Sequence, residues 1–451
     1  MALLDQPNAV AMASIEAVFR EHGVSTQRLR PHFGLAFAPG AIDLSRPGAL
    51  PQKLDEALND AFHCFGLLVF RELDLEPERE LDFCRRFSHD PEQNLAQDRN
   101  YGAQIVPGQP KLPNYPAIGL VGGAHVDGPT GHYGFVGDVD ANDQPPGGME
   151  RSWHCDGVAD EDPPPECTAM RSILVPRSGG GATLFASSTR AAALAIKAAE
   201  KDPKEWRGAP PLARAMCHYR ATPSLWDELE VSPTGISLRP MSDQTAAALA
   251  ADPVATAKLQ AMARDGFTAR SDREYLLPML ACVPAASYHR DIATVPVPTM
   301  IHQCRALHAV SDVVTGQTLS FEESQNYIER AWRPGLSDPE NIIVHHWADR
   351  DFVVWNNRTV IHSATSKGQW KRREDDQRLL HRIRMRAHPV TGRVAAWSPQ
   401  VEAVGRGFGE RRLPSIESST AAAAAAESND GAHNNSNGEV PLAVAHRGAR
   451  L

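Results

Sequence analysis

The sequence predicts a strand-rich core that carries helices, and three observations lead there. Short apolar runs rich in β-branched and aromatic residues recur at 65–71 (Phe65-Gly66-Leu67-Leu68-Val69-Phe70-Arg71), 168–175, 342–346 and 352–355. Stretches with helical spacing lie between them. Turn chemistry bounds them: Pro163-Pro164-Pro165, Ser178-Gly179-Gly180-Gly181 and Asn356-Asn357.

Along the chain, residues 12–22 form a short amphipathic helix in this reading. Residues 50–63 and 76–87 have helical spacing, and Pro77 suits the first turn of the second. The stretch 108–148 is rich in Gly, Pro, Asp and Asn and is too long for an ordinary loop. It reads either as a lid beside a site, with His125, His132 and Tyr133 as pocket candidates, or as a surface insertion. Residues 188–202 and 242–265 are Ala-rich and helical in period, the second opening on the cap Ser242-Asp243-Gln244. A further helix covers 320–332. After Pro414 the composition collapses into alanines 421–426 and Asn/Ser/Gly-rich sequence, which cannot bury a core. The expected organisation is an N-terminal helical extension (1–34), one domain (35–413) with a helical insert at about 190–300, and a disordered tail (414–451).

Composition excludes several classes of function. The 451-residue chain carries a formal net charge of −9, which argues against a nucleic-acid-binding surface. The basic run Lys371-Arg372-Arg373 is balanced at once by Glu374-Asp375-Asp376. Seven scattered cysteines without a Cys-x-x-Cys pair read as reduced intracellular thiols. No run of eighteen apolar residues predicts a membrane span, and the N-terminus lacks the form of a secretory signal. The expectation is a cytoplasmic enzyme acting on a small molecule, with no nucleic-acid or membrane partner and with homo-oligomerisation left open.

The most informative feature is Trp153-His154-Cys155-Asp156-Gly157, followed about two hundred residues later by His362. In an extended strand alternate side chains share a face, so His154 and Asp156 can reach one metal while Cys155 points away. Two imidazoles and a carboxylate can occupy one face of an octahedral iron and leave open positions opposite.

Four elements then occur in order: Trp153-His154-Cys155-Asp156; Gly180-Gly181-Ala182-Thr183-Leu184; Trp355-Asn356-Asn357-Arg358 through His362; and Arg378-Leu379-Leu380-His381-Arg382. Together they resemble the taurine dioxygenase/2,4-dichlorophenoxyacetate dioxygenase family of Fe(II)- and 2-oxoglutarate-dependent oxygenases, over roughly residues 35–390. The resemblance implies a double-stranded β-helix (jelly roll) core. It implies iron on His154, Asp156 and His362, with O₂ as oxidant, ascorbate as the reductant in vitro, and the metal centre alone as the catalytic group. It also implies a 2-oxoglutarate C5 carboxylate met by the Arg378 guanidinium and the Thr183 hydroxyl, as a buried carboxylate requires. Arg382 shares the face of Arg378 and matches the position that often meets an acidic substrate group. Arg384 and Arg386 continue that row, part of which can be solvated. Glu150 and Asp160 near the iron motif would suit an amine instead.

Three departures stand out. Asn356 replaces the family's Asp, which should alter local hydrogen bonding and leave the iron alone. The 363–377 connection is longer than usual, as is the separation of His154 from His362. The implied reaction is hydroxylation with release of succinate and CO₂. Rival readings are desaturation or ring closure on the same iron, a non-catalytic metal- or metabolite-binding member, and a cupin-like hydrolase or isomerase. Halogenation is disfavoured, because Asp156 fills the position a halide needs.

Overall fold

Runs that are apolar at every position have no face to give to water, so they belong in the middle of a covered sheet. Leu67–Phe70 and Phe352–Asn356 are buried throughout, and they pair with each other at the centre of the largest sheet. The computed structural model describes residues 9–44, 50–87, 111–122, 152–158, 164–177, 181–220, 229–251, 274–282, 297–364, 378–386 and 395–397. All of them fall within one unit, residues 1–402.

Numbered in chain order, the helices are α1 (Ala9–Glu21), α2 (Gln52–Phe65), α3 (Pro77–Arg85), α4 (Ser188–Lys201), α5 (Asp243–Ala251) and α6 (Phe321–Leu336). The first seven strands are β1 (Thr26–Arg28), β2 (Leu35–Phe37), β3 (Leu67–Phe70), β4 (Lys111–Leu112), β5 (Tyr115–Gly122), β6 (Cys167–Leu174) and β7 (Thr183–Ser187). Next come β8 (Ala215–Arg220), β9 (Leu229–Val231), β10 (Leu238–Pro240), β11 (Glu274–Pro278), β12 (Ala281–Cys282), β13 (Pro298–Thr299) and β14 (Leu307–Asp312). The last five are β15 (Ile342–His345), β16 (Phe352–Asn356), β17 (Val360–Ala364), β18 (Leu379–Met385) and β19 (Ala395–Ala396).

The largest sheet runs β1-β2-β3-β16-β6-β18-β5-β4, antiparallel except where β2 meets β3. A smaller sheet runs β15-β7-β17. The alternation of side chains assigns their faces. Leu67, Val69, Met170, Val353, Trp355 and Leu380 of the large sheet pack against Phe185, Ile343 and Val360 of the small one, which makes a sandwich core. The alternate residues Leu68, Phe70, Ala169, Phe352, Val354, Ile383 and Met385 face outward and are covered by α1, α2 and α3. Helix α1 thus joins the main core, with Phe19 edge-on to Phe37 at 5.2 Å, and β1 extends the main sheet.

Gly66 ends α2 at φ 70, the left-handed geometry that glycine adopts without a Cβ penalty. A Cβ there would also lie 2.9 Å from Val360 Cγ2, so the turn from α2 into β3 needs glycine twice over.

A second core joins α4 and α6 to the sheet β11-β8-β14. The segment expected to be a helical insert holds as much strand as helix among its described residues: β8 to β13 lie between 190 and 300, beside α4 and the short α5. Only 243–251 of the expected 242–265 helix is described as helix, and 252–273 lies outside the described residues. Helix α6 begins with the capping box Ser320/Glu323 and continues past the expected end at 332, through Pro334. Its last turn is held by Gly335 lying against Ala191 of α4, where even a methyl group has no room. The 108–148 stretch, apart from 111–122, and the 414–451 tail lie outside the described residues. No described helix is long and apolar enough to cross a membrane.

Candidate metal centre

Two residues about two hundred positions apart meet here by backbone pairing. His154 N–H donates to His362 O at 2.9 Å, and His362 N–H donates to His154 O at 3.0 Å. Residues that exchange both bonds stand directly opposite each other with side chains on one face. The two imidazole centroids are accordingly 4.2 Å apart. Asp156, two residues on, shares that face. Its Oδ1 lies 3.9 Å from His154 Nε2, and its Oδ2 lies 3.9 Å from His362 Nε2. One donor atom from each residue falls within 4.8 Å of the others, the one such group of three metal-ligating side chains among the described residues. Trp153 and Cys155 point the opposite way, into the α4/α6 core.

The surroundings prepare each group for a cation. His154 Nδ1 lies 2.7 Å from the Ser152 carbonyl, a pure acceptor, so Nδ1 carries the proton and Nε2 keeps its lone pair toward Asp156. His362 is wedged beside Trp355 (4.8 Å) and Phe185 (6.3 Å). Burial pulls the pKa of His154 below its ordinary value, and burial together with His154 brings that of His362 down to about 3. Both rings are therefore neutral at pH 7, as ligation requires. Burial would raise the Asp156 pKa. Arg382, then His362, Arg384 and His154, outweigh it and hold the carboxyl well below the usual carboxylate range.

Asp156 is also fixed by its backbone. Asn357 Oδ1 accepts its N–H at 2.7 Å, and Asn357 Nδ2 donates to its carbonyl at 2.8 Å and to Pro165 O at 3.0 Å. Thr168 Oγ1 donates to its Oδ2 at 3.2 Å. Gly157 follows at φ +72, and a Cβ there would fall 2.5 Å from Pro165 Cδ, so the proline-rich turn closes directly over the motif.

Strand β18 supplies the cationic wall. Leu380 faces the sandwich core, and Arg378, Arg382 and Arg384 share its parity. Arg382 Nη1 and Arg384 Nη1 each lie 3.8 Å from Asp156 Oδ1. Arg384 is thus buried beside the triad, whereas Arg386 is exposed. Between them His381 points outward to the buried Glu80 of α3, at 3.0 Å, and Glu80 also takes Arg171 at 2.8 Å. Arg378 is buried immediately before β18. Thr183 is buried on β7 with the parity of Phe185, so it too faces between the sheets, and its Oγ1 accepts Trp347 Nε1–H at 3.0 Å. Glu150, Asp160, His125, His132 and Tyr133 lie outside the described residues.

Sequence reasoning did not find Ser152, Thr168, Trp347 or Arg305, and it read Asn357 only as a turn residue. Arg305 Nε donates to Ser152 Oγ at 3.1 Å, which brings a second cation to the His154 side. Ser152 flanks the motif and was within reach of inspection. Thr168 lies twelve residues past Asp156, and Arg305 and Trp347 come from segments far along the chain from the residues they meet.

Residues 25–209 match the sequence model of the Taurine catabolism dioxygenase TauD, TfdA family. Over this stretch, less than half of the chain, the sequence is similar to that family. Alpha-ketoglutarate-dependent xanthine dioxygenase xan1 of Schizosaccharomyces pombe is 33% identical over 95 residues, 20% of this chain and 22% of that protein. The aligned stretch thus spans about a fifth of this curated relative. Among solved structures, a taurine dioxygenase from Burkholderia xenovorans gives a TM-score of 0.48 at 16% identity, covering 85% of this chain and 100% of its own. AAD-2 in complex with Mn(II) and N-oxalylglycine gives 0.46 at 15% identity, covering 81% of this chain and 98% of that one.

Proposed function

We propose that this TauD/TfdA-like chain is an Fe(II)- and 2-oxoglutarate-dependent dioxygenase with a jelly-roll core, and that it hydroxylates a small acidic organic molecule. The observation that carries the reading is the His154–Asp156–His362 cluster, whose neutral imidazoles and ionised carboxylate converge from one face. That donor set suits a redox-active divalent ion with open positions. Iron held there would use O₂ as the oxidant and 2-oxoglutarate as the co-reductant for C–H hydroxylation, with succinate and CO₂ as co-products.

The chain's own residues do the rest. Ser152 sets the His154 tautomer, and Asn357 and Thr168 orient Asp156. Arg378 and Thr183 hold the C5 carboxylate of the co-substrate, because a buried carboxylate needs a charged partner and a further donor. The sandwich core of Phe185, Trp355 and Leu380 keeps water from the reacting centre. Arg382 and Arg384 stand beside Asp156, and Arg305 reaches Ser152 on the His154 side. This cationic lining favours an acidic substrate, with Arg382 and Arg384 equally near the Asp156 carboxylate.

The test is succinate formation from 2-oxoglutarate. Metal-free protein should regain it with Fe(II) and ascorbate and not with Zn(II). His154→Ala, Asp156→Ala and His362→Ala should each abolish it. Full turnover in two of these variants would sink the ligand assignment. Arg378→Ala should raise the 2-oxoglutarate requirement far more than the Fe(II) requirement, and Arg378→Lys should rescue only in part, since a point charge cannot reproduce the fork. If Arg382→Ala has that effect and Arg378→Ala does not, the co-substrate arginine is Arg382.

A further inference from the structure

Thr183 has an unbalanced set of contacts for a buried hydroxyl. It is 4% exposed, and its Oγ1 accepts one hydrogen bond, from Trp347 Nε1 at 3.0 Å. A hydroxyl carries one donor and two acceptor sites. The Thr183 proton meets no acceptor among the described residues, and burying such a donor without a partner is unfavourable. The indole N–H can only donate, so it occupies one lone pair of Oγ1 and turns the hydroxyl proton away from itself.

Trp347 is itself immobilised. It is 8% exposed and lies in the sandwich core. The ring of His345 stands perpendicular to it, with centroids 4.6 Å apart. His345 Nε2 lies 3.3 Å from Asp351 Oδ2, and the same oxygen receives Ala348 N–H at 2.9 Å and Arg71 Nη1 at 2.6 Å. His345 is the register partner of Thr183 across β15 and β7, so the indole two residues later folds back over the hydroxyl it binds.

We infer that Trp347 is a positioning residue: its indole N–H fixes the rotor of the Thr183 hydroxyl so that the one remaining donor points at the C5 carboxylate of 2-oxoglutarate. This rests on the co-substrate reading proposed above and adds a residue that none of its motifs contains. A donor held in place before the ligand arrives loses no rotational freedom on binding. The effect belongs to affinity for the co-substrate and not to the metal.

The experiment is calorimetric titration of 2-oxoglutarate into the full-length Mn(II)-loaded protein, so that binding is read without turnover. Trp347→Phe keeps an aromatic ring and deletes the donor. It should weaken 2-oxoglutarate about three- to tenfold, the range for one neutral hydrogen bond, and leave Mn(II) affinity unchanged. Thr183→Val should weaken binding at least as much, and the double variant no more than Thr183→Val alone. Equal losses from Trp347→Phe in both backgrounds would overturn the inference, because the indole would then act through packing. So would an unchanged affinity in Trp347→Phe beside a weakened Thr183→Val. If Trp347→Phe does not fold, replacing Trp347 by its benzothiophene isostere deletes the N–H at constant ring shape, and the same outcomes apply. If Thr183→Val and Arg378→Ala both bind 2-oxoglutarate normally, the inference falls together with the co-substrate reading beneath it.

Discussion

Asn357→Ala is the most revealing single change at the centre. The side-chain amide makes three hydrogen bonds at 2.7–3.0 Å, two to the backbone of Asp156 and one to Pro165. All of these groups are buried, and Asn357 itself is 0% exposed. Truncation leaves one N–H and two carbonyls without their partner, at about 1–3 kcal/mol each where water cannot reach them. Some relaxation of the turn is expected, so the loss in folding stability should be about 3 kcal/mol or more. The second consequence is specific to the site. Asp156 loses the clamp that aims its carboxylate, and changes behind a ligand typically cost about 10- to 100-fold in metal affinity. Urea unfolding of the metal-free protein and Mn(II) titration near 10 °C, where the folded state persists, separate the two effects. A variant that loses stability yet binds Mn(II) as tightly as the parent would refute the reasoning. Asn357 would then hold the turn without aiming the ligand.

Other changes should be milder or directional. Asn356→Asp should leave metal affinity within about twofold by Mn(II) titration, because Oδ1 of residue 356 accepts the Arg358 N–H at 3.1 Å and a carboxylate oxygen can do the same. Cys155→Ser should keep Mn(II) binding and cost about 1 kcal/mol in urea unfolding, since the side chain packs in the apolar α4/α6 core, away from the ligand face. His302 gives a pH test. Burial draws its pKa down to about 4, so as pH falls from about 6.5 the unfolded chain takes up the proton before the folded one does. The stability from neutral His302 is whole above pH 6.5 and falls by about 3 kcal/mol on the way to pH 4. In His302→Gln the acid slope of the unfolding free energy should shrink by about one proton; an unchanged slope would contradict the assignment.

The shared face of His154 and Asp156 was legible because it follows from a short-range rule, whereas His362 was reached through the motif resemblance. Alternation along a strand puts His154 and Asp156 on one side and Cys155 on the other, and the structure has them so. The α6 start was legible for the same kind of reason, since Ser320 and Glu323 satisfy each other locally. Its end was not. Pro334 argues for an earlier stop, and the contact of Gly335 with Ala191, invisible along the chain, holds the last turn. The inserted region misled because alanine-rich periodicity dominates it, while β8 draws its partners from β11 and from β14, some ninety residues on. The supports of the site share that difficulty. Asn357 reaches Asp156, and Trp347 reaches Thr183, across more than 160 positions of chain. No local pattern encodes either meeting.

The reciprocal bonds between His154 and His362 bear on how the molecule is made as well as on what it binds. A pairing across about two hundred residues closes a very long loop, and its entropic cost falls late, after the nearer contacts have formed. The ligand cluster therefore does not exist in partly assembled chains. An ion that prefers the closed arrangement adds its binding free energy to this one junction and acts as a latch on the finished sandwich. Withdrawing metal should loosen the molecule first where the 152–156 segment lies against β17, and a protease or hydrogen exchange would find its opening there before the central strands β3 and β16 yield.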